Sequence, residues 1–212
     1  MSSQSRLRPF VTALLALGVL LTWTERLTAD STNPPPDPRA LHKQIVADWY
    51  ARDGALARTR PHLWVRPGLV ADRGTRRVRV YGESTSLNLG DPVEFPLIAE
   101  QSGKDYEALA VSFAQPSDVH RALEFIGLRP GAATSPSGLR FWPRGERVRV
   151  TFDLIATNGA ATPICRAESL VTDTRTDAPL PETGFVFCGA RWTHGTDDTS
   201  PATGLVYAAD VF

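Results

Sequence analysis

Hydrophobic positions fall into two regimes along this chain, with the change near Arg76. From Arg39 to Gly54, "RALHKQIVADWYARDG" repeats Leu41, Ile45, Val46 and Trp49 at helical spacing. This predicts an amphipathic helix with Asp37 as N-cap, Pro38 in its first turn and Gly54 as its stop. The following "ALARTRPHLWVRPG" turns through Pro61 and Pro67 and predicts one short strand over 63–65. Beyond Arg76 the period becomes two. "RVRVYGES", "VEFPLIA", "EALAVSFA", "RVRVTFDLIA", "ICRAESLV", "GFVFCGARW" and "LVYAAD" read as strands between clusters of Gly, Pro, Asp and Asn. In "RVRVTFDLI", Val148, Val150, Phe152 and Leu154 alternate with Arg147, Arg149, Thr151 and Asp153, the pattern of a half-buried antiparallel strand.

One further helix interrupts the strands. "QPSDVHRALEFIGLRPG" offers Ser117 as cap, Asp118 where the helix dipole favours an acid, and Gly127 with Leu128 as a Schellman stop. Val119, Ala122, Leu123 and Ile126 should cover a sheet, while His120 and Glu124, four apart, share another face that points to solvent or to the sheet edge. The expected fold class is α+β: a mainly antiparallel sheet with one short helix packed on it and an amphipathic N-terminal helix.

The first residues do not belong to that fold. Arg6 and Arg8 precede an apolar run over 10–23 that Thr24, Glu25 and Arg26 break. Such a run is short for a bilayer span of about 20 residues and fits an export signal. Residues 1–29 are therefore expected to be a signal peptide cut after Ala29, or an uncleaved anchor. The arginines are not adjacent, so a twin-arginine signal is unsupported, and no cysteine follows to accept a lipid. Residues 30–38, "DSTNPPPDP", read as an extended linker, 39–76 as a helical lead-in and 77–212 as the α+β domain. The expected location is periplasmic or extracellular, with membrane contact only if the first segment is retained.

Charge narrows the choice of partners. The chain holds 23 basic and 23 acidic residues; without 1–29 it keeps 20 and 22, which gives no electrostatic case for nucleic acid. About 180 residues, in a chain that is 42% apolar, suffice for one core. Lys43 and Lys104 are the only lysines, so arginine carries nearly all the positive charge. Cys165 and Cys188 are candidates for a disulfide in an oxidising compartment, on adjacent strands; two buried thiols are the alternative.

Motifs for chemistry are scarce. Nucleophile elbow, phosphate loop, paired-cysteine knuckle and metalloprotease helix are all missing from the sequence, so no catalytic residue, metal or cofactor is assigned. His42, His62, His120 and His194 are scattered over different elements. "HGTDDTS" lacks the acidic spacing of a calcium loop and reads as a hairpin loop. The candidate ligand-binding residues are Lys104, Tyr106 and Glu107 at a strand entrance, with His120 in the helix that follows. A Lys and a Glu close to a helix N-terminus are suited to a carboxylate or polar ligand. The bland alternative is a Gly103 turn with Lys104 and Glu107 paired on the surface.

The block "GKDYEALAVSFAQPSDVHRALEFIGLRPG" resembles the YdjY-type domain, a family of mostly exported bacterial proteins of unestablished role. It shares the Lys and Glu before an apolar strand, then Pro-Ser-Asp-hydrophobic-His, an apolar helix and Gly-Leu-Arg-Pro-Gly. "FVFCGARW" and "YAAD" look like the family's late segments, and the likeness spans residues 77–212, more loosely also "ARDGALARTRPHLWV". Tyr106 stands where family members often carry His, and the chain ends at "YAADVF" where the family usually continues, as if an edge of the sheet were lost or the sequence were a fragment. The resemblance implies an α+β fold and no reaction. Two functions are expected on this footing: a non-catalytic module binding an envelope protein or small ligand, or an extracytoplasmic enzyme, for instance a hydrolytic one, using Glu107 and His120.

Overall fold

The start of the first helix is set by a local turn. In the computed structural model, which describes residues 37–132, 138, 142–189, 191–192 and 205–206, the Asp37 carboxylate accepts the Arg39 N–H at 2.8 Å and its carbonyl accepts the Ala40 N–H at 3.0 Å. Helix α1 then runs Ala40–Ala57, with Arg39 rather than Asp37 at the N-cap position. It also passes through Gly54. A glycine costs a helix about 1 kcal/mol but ends it only where the chain turns left-handed, and Ala55, Leu56 and Ala57 are good helix formers. The expected apolar stripe is only partly realised: Val46 is buried, Ile45 and Trp49 are half-buried, and Leu41 is 69% exposed. Trp49 packs on Tyr81 with ring centroids 5.1 Å apart.

The lead-in is more than helical. Strands β1 (Leu63–Arg66), β2 (Leu69–Asp72) and β3 (Arg77–Val80) form an antiparallel meander with Val65 opposite Val70 and Val70 opposite Arg79. The β1–β2 turn has Pro67 ahead of Gly68, whose φ is 71°, as a type II turn requires. A Cβ on Gly68 would lie 2.6 Å from the Ala114 nitrogen, so this turn is also packed too closely for a side chain. The expected boundary between 76 and 77 thus cuts a single meander, and residues 37–212 cluster as one unit.

Strand β4 (Gly82–Ser84) pairs antiparallel with β6 (Ala110–Ser112), which takes β5 (Ile98–Ala99) in parallel on its other side. Helix α2 (Pro116–Phe125) follows β6. Gln115, not Ser117, occupies its N-cap position and Pro116 its first turn. Its end is the expected Schellman stop: Gly127 has φ 95°, its N–H reaches the Glu124 carbonyl at 2.9 Å, and the Leu128 N–H reaches the Leu123 carbonyl at 3.0 Å. Ala122 and Ile126 enter the main core with Leu69, Ala71 and Ala114, and Trp64, Val78, Val80, Val119, Leu123, Phe125 and Leu128 pack around them. The helical spacing of α2 therefore decides which face of the meander is covered.

The remaining strands are short: β7 (Glu146–Val148), β8 (Thr151–Ile155), β9 (Ala161–Arg166), β10 (Thr172–Asp173), β11 (Ala178–Pro179), β12 (Phe185–Phe187), β13 (Arg191–Trp192) and β14 (Leu205–Val206). They pair antiparallel as β7–β12, β8–β9, β10–β11 and β13–β14. The architecture is α+β, as expected, but it is built from several small sheets rather than one. "RVRVTFDLIA" breaks at residues 149–150 into β7 and β8, and the β8–β9 register slips between Phe152 and Asp153. Leu154 is 66% exposed, against the alternation that places it inside. The segment over 1–29 expected to act in export, the run of three prolines, "HGTDDTS" and "YAAD" lie outside the described residues.

Candidate functional site

The strand entrance singled out in the sequence is a pair of 3₁₀ turns, Glu100–Ser102 and Asp105–Glu107, joined through Gly103 at φ 68°. Lys104 opens the second turn. Its Nζ lies 3.5 Å from Glu107 Oε1 and 5.3 Å from the centroid of the Phe95 ring. The Glu107 carbonyl accepts the N–H groups of Glu94 (2.9 Å) and Phe95 (3.2 Å), which fixes the turn against the chain before it. Tyr106 points outward at 67% exposure. His120 has other partners: Glu124 Oε1 at 3.7 Å from Nε2, and the Phe187 ring, met edge-on with centroids 5.1 Å apart. The structure therefore brings Lys104 and Glu107 together and gives His120 a place in the packing between α2 and β12. Exposed ion pairs of this kind contribute about 1 kcal/mol or less.

A denser charge cluster, missed in the sequence, sits at the start of α1. Glu83 of β4 takes Arg39 Nε at 2.6 Å on one oxygen and His42 Nδ1 at 2.7 Å on the other. The Arg39 contact is an ion pair without hydrogen-bond alignment, which leaves its buried Nε unsatisfied as a donor. Arg39 also reaches Asp105 at 3.3 Å. One residue beyond His42, Lys43 Nζ meets Asp37 at 2.6 Å and Glu100 at 2.5 Å. The Lys43 ammonium holds Asp37 below the ordinary carboxylate range, and hydrogen bonds to Asp37 and Glu100 raise Lys43 above its own. With so little of α1 buried, these ion pairs from β4 and both 3₁₀ turns locate its first two turns. The scarcity of lysine was the one signal: Lys43 and Lys104 both stand in ion pairs.

Below that clasp lies an open groove of about 460 Å³. Lys43, Val46, Ala47 and Tyr50 of α1 form one wall; Pro67, Gly68, Glu100 and Phe113 form the other. Its lining is mostly apolar, and the Lys43–Glu100 ion pair joins its two walls. No stretch of sequence announces it, because its walls come from four separate elements.

Glu168 is a second charged group that sequence reasoning overlooked. It is only 3% exposed, and Arg166 grips it twice, at 2.7 and 3.3 Å, while the Gly184 N–H donates to it at 3.0 Å. The Arg166 hydrogen bonds first, then the backbone donors, lower its pKa to about 2. This carboxylate ties the end of β9 to the start of β12 and is a structural staple.

The disulfide expectation is corrected. Cys165 and Cys188 are both free. Cys165 lies in β9, whose ladder partner is β8, and Cys188 follows β12, whose partner is β7, so the two cysteines are not on paired strands. Burial pushes the Cys188 thiol up, and its Sγ lies 3.5 Å from the Gly189 carbonyl. Among the described residues no cluster of three or more His, Cys, Asp or Glu is arranged to hold a metal ion. No helix among them is long and apolar enough to cross a membrane. No family model, curated protein or solved structure matches the chain.

Proposed function

We propose that this chain is an exported, non-catalytic binding module of YdjY type, and that it takes its ligand in the groove between α1 and the Pro67–Gly68 turn. The observation that carries the reading is the groove itself: a mostly apolar lining that includes Tyr50 and Phe113, the Lys43–Glu100 pair beside it, and a volume suited to a small ligand or a short side-chain cluster. The residue block that carries the YdjY resemblance supports it from the other side. Lys104 and Glu107 neutralise each other, and His120 is engaged with Glu124 and Phe187. These are the relations of a framework. A nucleophile, a base and an orienting group would stand in a different relation.

The test uses the protein recovered from its native host. Its mature N-terminus is expected near Asp30, read by mass spectrometry; an intact Met1 in a soluble cytoplasmic fraction would overturn export. Native mass spectrometry of the same sample is expected to show a co-purifying ligand that Ala47→Trp excludes, since Ala47 is exposed within the groove wall and the indole fills the space. Equal ligand retention by parent and variant would move the site elsewhere. A hydrolytic turnover abolished by Glu107→Gln and by His120→Ala would replace the module with the enzyme.

A further inference from the structure

Positive charge is not spread evenly over this nearly neutral chain. Residues 52–79 hold eight arginines and two carboxylates, Asp53 and Asp72. Several of these arginines have structural work. Arg52 pairs with Asp53, Arg66 faces Asp118 at 3.8 Å, and Arg73 donates to the Phe125 carbonyl at 2.8 Å while lying over that ring. Asp72 is occupied by its own turn, accepting from Gly74, from the Thr75 N–H and from the Thr75 hydroxyl. Five exposed arginines are left: Arg58, Arg60, Arg76, Arg77 and Arg79. Among the described residues no carboxylate pairs with any of them.

The backbone gathers Arg60, Arg76 and Arg77 at one end of the meander, with Arg58 just before on the chain and Arg79 two residues further along β3. Leu63 donates to the Arg60 carbonyl at 2.9 Å and Arg73 to the His62 carbonyl at 2.9 Å, which draws the α1–β1 connection beside the β2–β3 turn that carries Arg76. Arg77 stands opposite Asp72 in the ladder, and Arg77 and Arg79 alternate with Val78 and Val80, which face the core under α2. Among the described residues β3 has no strand partner but β2, and Arg77 and Arg79 are exposed on the face opposite to Val78 and Val80. Leu56, itself 41% exposed, lies two residues before Arg58. The charges therefore stand on a connection, a turn and a strand edge with an apolar side chain beside them, and not around a cleft.

We infer that this face is a docking surface for an anionic bilayer, with the five guanidiniums bound to phosphodiester headgroups. A guanidinium fork matches a phosphate with two parallel hydrogen bonds, and clustered basic side chains at a bilayer surface add their attractions. The choice of lipid over nucleic acid rests on the export reading above. The assay rests on the patch alone, so failure of one is distinguishable from failure of the other.

The full chain is sedimented with vesicles of phosphatidylcholine alone and of phosphatidylcholine mixed with phosphatidylglycerol. The readout is the ratio of binding to the two, compared between parent and variants, because the apolar run over 10–23 and the flanking Arg6, Arg8 and Arg26 are common to all of them. A preference of about tenfold or more for anionic vesicles is expected at low salt. It should shrink toward unity as added salt shortens the screening length. Replacing Arg58, Arg60, Arg76, Arg77 and Arg79 together by Ala should abolish it, the same five changed to Lys should keep most of it, and Arg129→Ala with Arg149→Ala should leave it intact. Should the alanine chain lose its circular dichroism, the smaller changes Arg58→Ala with Arg60→Ala and Arg77→Ala with Arg79→Ala decide, each expected to lower the ratio in a folded chain. A parent ratio near unity, a preference indifferent to salt, or an unchanged ratio in a folded five-alanine chain would each overturn the inference. Tighter binding to a soluble nucleic acid oligomer than to the vesicles would overturn it too.

Discussion

Two leucines separate the alternation seen in the sequence from the packing found in the structure. Leu69 is fully buried in β2 at the centre of the core under α2, whereas Leu154 in β8 is 66% exposed. Leu69→Ala removes three carbon atoms from a closed site. At about 0.8 kcal/mol per buried methylene the transfer part alone is about 2.4 kcal/mol. The cavity left among Ala71, Ala122 and Ile126 adds to that, giving about 3–5 kcal/mol. Leu154→Ala removes the same atoms from a ribbon with solvent on that side and should cost less than about 0.5 kcal/mol. Urea unfolding followed by circular dichroism checks both, with the slope held common so that the midpoint shift reports stability. Against a typical domain stability of about 5–15 kcal/mol, the first variant should lose about a fifth or more and the second should overlay the parent. Equal losses would refute the reasoning, because they would mean that β8 buries the face its alternation suggests and that the exposed ribbon is wrong.

Three further outcomes follow from the charged groups and thiols. Glu168 titrates at about 2 in the folded chain, below its ordinary 4.5, so its stabilisation is present above the ordinary value and is lost as pH falls through the interval between the two; Glu168→Gln should flatten the acid limb of Tm against pH over that interval, and parallel limbs would contradict the staple. Glu83→Gln should weaken the hold on both Arg39 and His42, seen as faster amide hydrogen exchange in the first two turns of α1 with α2 unchanged, and high salt should mimic it in the parent; unchanged exchange would show that the clasp does not locate the helix. Cys165 and Cys188 should titrate as two free thiols in unfolded, non-reduced protein, and a count of none would restore the disulfide.

The block over 103–131 was the most legible part of the site. Its glycine turn, its Lys104–Glu107 pair and the Schellman end of α2 are all local: each depends on residues within a few positions of one another, and glycine at positive φ announces such turns in the sequence itself. The groove and the α1 clasp were not legible. Glu83, Glu100 and Asp105 are ordinary acids in the sequence, and only the fold sets them against Arg39, His42 and Lys43.

What the sequence alone determined is the α+β class, the existence of both helices, the apolar face of α2 and the stop at Gly127. These follow from periodicity and backbone stereochemistry, which act over one or two turns of chain. What only the tertiary structure decided is which strands pair, where the sheets break and which alternating face is covered. A period of two says that a strand has two unlike faces, but burial needs a second layer. Under α2 the meander has one and Leu69 disappears from solvent; among the described residues β8 pairs only with β9, and Leu154 stays in water. The same dependence on pairing separates the cysteines, since Cys165 follows β8 as its neighbour while Cys188 follows the ladder of β7, and strand choice is a property of the whole chain.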